Sequence, residues 1–435
     1  MKKILLTLFL LIMSLQLFAA KLEGIKIGDL KYDLDTKALT AEVTYGSVNY
    51  SNSNYVKGDV VIPSNVICYD ETYDVIGIGQ GAFSGCDKLE SLTLPSSITY
   101  IKGSAFSGCS SLNKIEISDL KAWCNIDYDR ATSNPLYYAK YLYLNGKEIS
   151  DLILPNSIEE IKPMTFAYCK NLKSVTISDS VVTIGSEVFA NCDSIRRVSI
   201  GSSVTSIGKD AFINCPIESL SLRCNKILNW FAGFDTLKNI EIGNSVTIIG
   251  SRAFYSCKGI TSLYIPASIT SIEEEAFGGC TNLTSIEISD LEAWCKIDYS
   301  TSSSNPLYYA KRLYLLDSEV SNLILPNSIK EIKPMTFAYC ESIQSVTIPD
   351  SVTAIGSEVF ADCKALTNVS IGRSITSIGK DAFKNCPIES LTLACPIISS
   401  WFRGFETIKT INLESNVLTL FKFRKFNLLI SDCKI

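Results

Sequence analysis

Apolar residues recur along most of this chain with a commonest step of 23 residues. Counted from Phe189, apolar positions follow at +3, +6, +9, +11, +15 and +18 before the next unit starts at Phe212. The step from +9 to +11 has the period of two that marks a strand with one outward side chain. A second short strand is expected near +15 to +18, as in Ser203–Gly208, where the glycine suits a turn. Each unit therefore predicts two short strands and a turn.

The pair Phe-x-x-Cys marks the same position in ten of these units. Two further units, at Phe231/Phe234 and Phe402/Phe405, keep the spacing without the cysteine. No single unit can bury its apolar residues, so neighbouring units must stack in register around one continuous core. We therefore predict a repeat solenoid, a right-handed, β-rich horseshoe or curved rod of about twelve rungs. The ten cysteine-bearing units start at Phe83, Phe106, Phe166, Phe189, Phe212, Phe254, Phe277, Phe337, Phe360 and Phe383.

Two stretches are close to a known repeat consensus. LESLTLPSSITYIKGSAFSGC (89–109) and ITSLYIPASITSIEEEAFGGC (260–280) resemble units of the BspA-type, or Treponema-pallidum-like, leucine-rich repeat family. The resemblance extends over residues 75 to 415. It implies a leucine-rich repeat fold in a secreted or cell-surface protein that binds or adheres to other molecules. Repeats of this kind define a fold much better than they define a ligand.

A longer repeat of 171 residues is superimposed on the short one. The segment EIKPMTFAYC occurs at 160–169 and again at 331–340. We interpret 75–242 and 243–413 as two copies of one block within an uninterrupted solenoid. Residues 21–74 follow another pattern and predict an N-terminal β cap, since the end of a solenoid is an exposed sheet edge. Residues 414–435 are a C-terminal tail or degenerate cap, and self-association could occur at that end.

The first residues predict export. Residues 1–20 combine two lysines, an apolar run and small residues, which is the layout of a secretory signal peptide. The apolar run is shorter than the roughly 18 residues that a membrane-spanning helix needs. No later segment approaches that length, so we expect a secreted or cell-surface protein without a transmembrane segment.

Composition removes several classes of function. The formal charge is −5 and no basic block is interleaved with aromatic residues, so nucleic acid is not expected as a partner. The chain contains no histidine, which excludes Ser/His/Asp and Cys/His catalysis and imidazole metal sites. Acidic residues are spread singly, and no phosphate-binding or dinucleotide motif occurs. We therefore predict no enzyme activity, catalytic residue, metal site or cofactor.

Sixteen cysteines leave two readings open. Disulfides between adjacent rungs are sterically conceivable in an exported protein. Phe234 and Phe405 fill the cysteine position on two rungs, however, and this favours a ladder of buried thiols that pack as small apolar side chains.

Two sets of residues are candidates for binding. The outward strand position gives a shallow polar strip with scattered acidic and aromatic side chains. Two 60-residue steps, from Phe106 to Phe166 and from Phe277 to Phe337, contain aromatic insertions, which in solenoids often lie on the binding face. Alternatively, the tryptophans and leucines of these insertions pack them onto the rod. The candidates are Glu116, Glu241, Tyr264 and Glu287 on the strip, and Tyr137, Tyr138, Tyr308 and Tyr309 in the insertions.

The predicted function is binding of, or adhesion to, a protein or glycan at a cell surface or matrix through an extended solenoid face. The alternative is a structural surface scaffold or spacer without a ligand of its own.

Overall fold

The computed structural model describes residues 20–45, 56–395 and 407–413, together with the backbone of 429–431. The chain divides into two compact units, Met1–Pro216 and Ile217–Ile435. The predicted signal peptide, the rung at Phe402/Phe405 and most of the predicted tail lie outside the described residues.

Both units consist of turns of a β-solenoid, about 14 in all, with little helix. In a typical turn a strand of three or four residues is followed by a two-residue strand and then by the Phe-x-x-Cys segment. Successive turns pair in parallel, 23 residues apart, as in Val175 with Val198 and Ile184 with Ile207. The β-rich repeat solenoid predicted from the spacing is confirmed.

The strands of the first unit follow the chain in this order: β1 (Lys21–Ile27), β2 (Leu30–Asp35), β3 (Thr40–Thr44), β4 (Gly58–Val61), β5 (Asn65–Cys68), β6 (Glu71–Ile78), β7 (Leu89–Leu94), β8 (Tyr100–Ile101), β9 (Lys114–Ile117), β10 (Asp127–Tyr128), β11 (Leu142–Leu144), β12 (Lys147–Glu148), β13 (Asp151–Ile153), β14 (Glu160–Ile161), β15 (Ser174–Thr176), β16 (Thr183–Ile184), β17 (Arg197–Ile200) and β18 (Ser206–Ile207). Its short helices are Leu120–Cys124 and Leu136–Ala139, with a 3-10 turn at Ala131–Ser133.

The second unit continues with β19 (Ser219–Leu222), β20 (Lys226–Ile227), β21 (Asn239–Ile242), β22 (Ile248–Ile249), β23 (Ser262–Ile265), β24 (Ser271–Ile272), β25 (Ser285–Ile288), β26 (Asp298–Tyr299), β27 (Leu313–Leu315), β28 (Ser318–Glu319), β29 (Asn322–Ile324), β30 (Glu331–Ile332), β31 (Ser345–Ile348), β32 (Ala354–Ile355), β33 (Asn368–Ile371), β34 (Ser377–Ile378), β35 (Ser390–Leu393), β36 (Thr410–Leu413) and β37 (Leu429–Ser431). Its helices are Leu291–Cys295 and Leu307–Ala310, with 3-10 turns at Asn229–Phe231 and Ser302–Ser304. No helix among the described residues is long and apolar enough to cross a membrane.

Phenylalanine rings stack along the inside of each unit. The ring centroids of Phe166 and Phe189 lie 5.3 Å apart and those of Phe189 and Phe212 lie 5.1 Å apart, with nearly parallel planes. The same stacking joins Phe337 to Phe360 at 5.4 Å in the second unit. Within each run of turns that follows the 23-residue step, one ring per turn therefore forms a buried column.

The cysteines lie beside this column as free thiols. All fifteen cysteines in the described part of the chain are unpaired, and all but Cys68 are buried. The thiol of Cys192 donates a hydrogen bond to the carbonyl oxygen of Phe166, and that of Cys215 donates to Phe189. Burial raises the pKa of the thiol at most of these positions, for example to about 12 at Cys257. In the described turns the structure therefore has the ladder of buried thiols, and not the disulfides between adjacent rungs.

The N-terminal segment forms β structure that continues into the first turns. Strands β1, β2 and β3 pair in an antiparallel sheet, and β3 then pairs in parallel with β6. Strand β4 pairs in parallel with β7, so residues 58–61 already belong to the strand ladder. The capping role assigned to residues 21–74 stays a prediction.

Each 60-residue step contains one additional turn of the solenoid. Strand β10 pairs in parallel with β8, and β11 pairs in parallel with β9, as successive turns do elsewhere. Leu136 is completely buried at the start of the segment Leu-x-x-Ala, where other turns have Phe-x-x-Cys. Leu307 is likewise completely buried at the start of the equivalent segment in the second unit. The insertions are thus not simple loops, and counting phenylalanines alone gives twelve turns where the chain forms about 14.

Candidate functional site

Outward side chains form a row across the parallel strands of the first unit. Strand pairing sets Val61 beside Thr93, Thr93 beside Glu116, and Glu116 beside Tyr143. The row begins again at Ile153, which lies beside Thr176 on the next sheet. Because parallel neighbours are about 4.8 Å apart, adjacent members of a row can act on one ligand together.

The second unit has equivalent rows. Ser221 lies beside Glu241 on β19 and β21. On β23, β25 and β27, Glu287 lies between Tyr264 and Tyr314. On the following sheet the outward residues are Ile324, Thr347, Ser370, Thr392 and Asn412.

Glu116 is already held by its own unit. The Lys114 ammonium lies 3.0 Å from Glu116 Oε2 and 4.7 Å from the centre of the Tyr143 ring. The backbone N–H of Gly146 donates to Glu116 Oε1 at 2.6 Å. The side chain of Glu116 is only 16% exposed, so this candidate residue supports the hairpin β11–β12.

Glu287 has a different environment although it holds the equivalent position. Ser285 stands where the first unit has Lys114. No side chain or N–H group among the described residues forms an ion pair or hydrogen bond with the Glu287 carboxylate. Tyr264 is 39% exposed, and its hydroxyl donates to Ser289 Oγ at 2.9 Å. Glu287 therefore offers a half-buried carboxylate between two aromatic side chains.

The four tyrosines of the insertions make their ring contacts with residues outside these rows. Tyr137 belongs to helix Leu136–Ala139 and contacts Tyr168 of the next Phe-x-x-Cys segment, with ring centroids 4.7 Å apart. Lys140 lies 5.1 Å from the centre of the Tyr137 ring. Burial of that lysine lowers its pKa. Tyr138 packs edge-on against Tyr137.

The second unit repeats this cluster. Tyr308 and Tyr339 lie 4.8 Å apart, with the Lys311 ammonium 4.9 Å from the Tyr339 ring. The Tyr309 hydroxyl accepts a hydrogen bond from the N–H of Gly279 at 2.9 Å. The candidate residues thus fall into the strand rows and the clusters beside the Phe-x-x-Cys segments. Among the described residues, no ring contact, hydrogen bond or ion pair joins a candidate of one set to a candidate of the other.

The other aromatic residues of the insertions are packing residues. Trp123 and Trp294 are almost completely buried, as are Tyr128 and Tyr299. The Trp294 indole N–H donates to the Thr336 carbonyl oxygen at 3.0 Å. These four residues therefore pack the insertions onto the solenoid and are not exposed for binding.

Sequence reasoning missed Tyr143 on the row and Lys114 beside it, and it counted Tyr314 among the aromatic residues of the second insertion without placing it on a strand row. It also missed Ile153 and Ile324, which are each 70% exposed on their strands. The signal was the repeated Leu-Tyr-Leu at 142–144 and 313–315, which alternates as a strand does. Paired residues of β9 and β11 are 27 positions apart in the sequence, so a search with a fixed step of 23 residues does not find this pairing.

An open groove of about 710 Å³ lies between β1–β2 and β4–β5 and is lined largely by apolar side chains such as Tyr32 and Val66. Within the described ranges, no three Cys, Asp or Glu side chains are grouped so that they could hold a metal ion.

The parallel ladders, the columns of stacked phenylalanine rings and the short strands are those of a leucine-rich repeat solenoid. A family model described as the BspA type leucine rich repeat region matches residues 70–122, 122–230, 225–310 and 316–400. The chain belongs to this family, and the resemblance read from the sequence is confirmed.

Three of the similar solved structures are leucine-rich repeat or leucine rich proteins of bacteria. One from Bacteroides ovatus is 25% identical over 89% of this chain and 99% of its own, with a TM-score of 0.47. A leucine rich cell surface protein from Faecalibacterium prausnitzii is 21% identical over 89% of this chain and 88% of its own, with a TM-score of 0.32. The leucine rich repeat protein of T. pallidum is 23% identical over 50% of this chain and 82% of its own, with a TM-score of 0.27. None of the curated proteins compared with the chain matches it.

Proposed function

We propose that this protein binds a protein or glycan partner through the outward strand rows, as a secreted or cell-surface binding protein. The observation that carries the proposal is the row Tyr264–Glu287–Tyr314, where aromatic and acidic side chains lie side by side on a rigid parallel ladder. Partly exposed aromatic residues are common anchors in binding interfaces.

A shallow ladder binds by many modest contacts. The strands fix the side chains before the ligand arrives, so little conformational entropy is lost on binding. Glu241 adds an exposed carboxylate on β21. Ile324 adds an exposed apolar side chain on β29. Such a surface suits an extended partner better than a small molecule that needs a deep pocket.

The scaffold alternative also has an observation in its favour. Val61, Ile153 and Ile324 are large apolar side chains, and each is 66–70% exposed on the strand rows. Exposed apolar residues on a sheet can support association with another copy of the same chain. A surface scaffold would use these residues for self-assembly and would bind no other ligand.

The test is a binding screen of the purified protein against matrix proteins, surface glycans and intact cells. The charge reversals Glu241→Lys and Glu287→Lys should each weaken the binding of a hit at least about tenfold. Glu274→Lys is the matched control, because Glu274 is exposed in the same unit but precedes the Phe277 turn. Binding that survives both reversals would contradict the proposal. Absence of any hit, with light scattering that reports assembly, would favour the scaffold.

A further inference from the structure

The duplicated block places the same strand register in two different chemical settings. In the first unit, the ammonium of Lys114 contacts the Glu116 carboxylate at 3.0 Å and lies 4.7 Å from the Tyr143 ring centre. The first unit therefore contains a lysine bound between a carboxylate and a tyrosine.

The second unit keeps the carboxylate and the tyrosine but not the lysine. Glu287 pairs with Tyr314 across β25 and β27 in the register that joins Glu116 to Tyr143. Ser285 replaces the lysine, and its short hydroxyl side chain carries no charge.

Two further differences make the second unit better suited to an external cation. Tyr264 stands where the first unit has Thr93, so Glu287 has an aromatic neighbour on each side. Asp317 stands where the first unit has Gly146, whose N–H donates to Glu116. An aromatic face and a carboxylate both attract an ammonium group, the first through the ring quadrupole and the second through its charge.

We propose that Tyr264, Glu287 and Tyr314 form a binding site for a lysine side chain of a partner protein. The inference rests on the proposed function, because it names the partner chemistry for the same strand row. Lys114 in the first unit shows how such a side chain lies, with its ammonium at the carboxylate and near the tyrosine ring. Nearby Glu319 and Asp317 extend the acidic character of the hairpin, where Arg312 is a basic neighbour 3.9 Å from Glu319.

A protein lysine fits the surroundings better than a glycan does. The site is acidic and aromatic, and exposed Ile324 lies at the start of the following sheet, where it can contact apolar side chains of the same partner. The long aliphatic stem of lysine can lie along aromatic surface while its ammonium reaches the carboxylate.

The experiment uses the full chain and a fluorescent peptide of alternating glycine and lysine, with binding followed by anisotropy at low ionic strength. The same peptide with Nε-acetylated lysines is the neutral comparison. We expect saturable binding of one lysine peptide per chain, and at least tenfold weaker binding of the acetylated peptide. Tetramethylammonium and lysine amide are added as competitors, to separate a small-cation site from a site for a protein side chain.

Three variants locate the interaction. Glu287→Gln removes the charge, and we expect at least a tenfold loss of affinity. Ser285→Lys supplies the lysine of the first unit and should block the site from within, again with at least a tenfold loss. Glu116→Gln is the matched control and should change affinity less than twofold, because its carboxylate is already bound to Lys114. Thermal unfolding of each variant checks that the fold is kept.

The inference would be overturned if Ser285→Lys bound the peptide as the parent chain does, if Glu116→Gln lost as much affinity as Glu287→Gln, or if acetylation had no effect. Displacement by tetramethylammonium at the concentration of peptide that saturates the site would indicate a small-cation site instead. The proposed function has a separate outcome: a screening hit that still binds Ser285→Lys supports the strand rows as a binding surface and excludes this lysine site.

Discussion

The thiol of Cys192 donates a hydrogen bond to the carbonyl oxygen of Phe166, one turn earlier, at a sulfur–oxygen distance of 3.1 Å. The same carbonyl oxygen accepts the backbone N–H of Cys169 within its own turn. The repeated cysteine is therefore a small buried side chain whose single donor joins consecutive turns. Serine would provide a donor with less apolar volume, and alanine would provide no donor.

Because these thiols are buried, the protein should lose stability at alkaline pH. Burial raises the pKa of Cys109, Cys169 and Cys257 to about 12 each, whereas an exposed thiol in the unfolded chain ionises near about 8.5. Each such thiol leaves the free energy of unfolding unchanged below about pH 8.5. Above that value the unfolded state releases a proton that the folded state keeps, so stability falls as pH rises towards the folded-state pKa.

Urea unfolding at pH 7, 9 and 10 measures this loss. The slope should approach about 1.4 kcal/mol per pH unit for each ionising thiol that unfolds cooperatively. A thiol-reactive dye at pH 8 should label half-buried Cys68 before the buried cysteines of the described turns. Rapid labelling of the whole set in the folded protein would contradict the buried ladder.

The phenylalanine column predicts the response to core substitutions. Phe189→Ala removes a ring that stacks on both Phe166 and Phe212, and we expect a loss of about 3–5 kcal/mol in the free energy of unfolding. Phe189→Leu is the matched control and should cost less than about 1.5 kcal/mol, because Leu136 and Leu307 fill the equivalent position in the additional turns. Equal losses for the two variants would show that ring stacking and cavity size do not decide stability here.

Hydrogen exchange on the same variants tests how far the damage spreads. In a solenoid each turn contacts chiefly its neighbours, so exchange should rise first in the turns around the substitution. A uniform rise over the whole chain would indicate that the unit unfolds as a single body.

The glycine at the end of the second strand allows neighbouring turns to approach closely. A Cβ atom at Gly208 would lie 2.4 Å from the backbone nitrogen of Ser186, and one at Gly185 would lie 2.5 Å from that of Pro163. Backbone atoms cannot move aside as a flexible side chain can, so Gly208→Ala should cost about 1–3 kcal/mol. Gly28→Ala is the control. A Cβ atom at Gly28 would have no atom within 4 Å, but Gly28 has a positive φ. This variant therefore measures the cost of the backbone conformation without a steric clash. Chemical denaturation of both variants measures the loss in the free energy of unfolding for each.

The repeat could be predicted closely from sequence because its apolar spacing allows only one assignment of inward and outward positions on the strand. Residues at +9 and +11 must face inwards on a short strand, so the residue between them faces outwards, as Ser199 does on β17. The outward positions of Glu241 and Glu287 follow from the same rule. These positions are fixed by the local alternation of the strand, which sequence alone reveals.

The additional turns and the contacts across them could not be predicted in this way. Leu136 and Ala139 bury the volume that Phe and Cys bury elsewhere, so a search for Phe-x-x-Cys passes over them. Whether Glu116 is free or bound depends on Lys114, two residues away on the same face, and on Tyr143, which the strand pairing brings beside it. Strand pairing between distant residues decided that environment. The two copies differ because Ser285, Tyr264 and Asp317 stand where the first unit has Lys114, Thr93 and Gly146.

The last prediction concerns Lys114 itself. Lys114→Ser gives the first unit the serine that the second unit has at position 285, and it should free the Glu116 carboxylate and the Tyr143 ring. If both arrangements accept a lysine side chain, the number of lysine peptides bound per chain rises from one to two. The new site should be the weaker one, because Thr93 provides no aromatic neighbour and the Gly146 N–H still donates to Glu116. Stoichiometry from calorimetric titration measures the change, with Lys114→Arg as the control that keeps the cation. A stoichiometry that stays at one in Lys114→Ser would mean that carboxylate and ring alone do not make the site, and that Tyr264 is required for it.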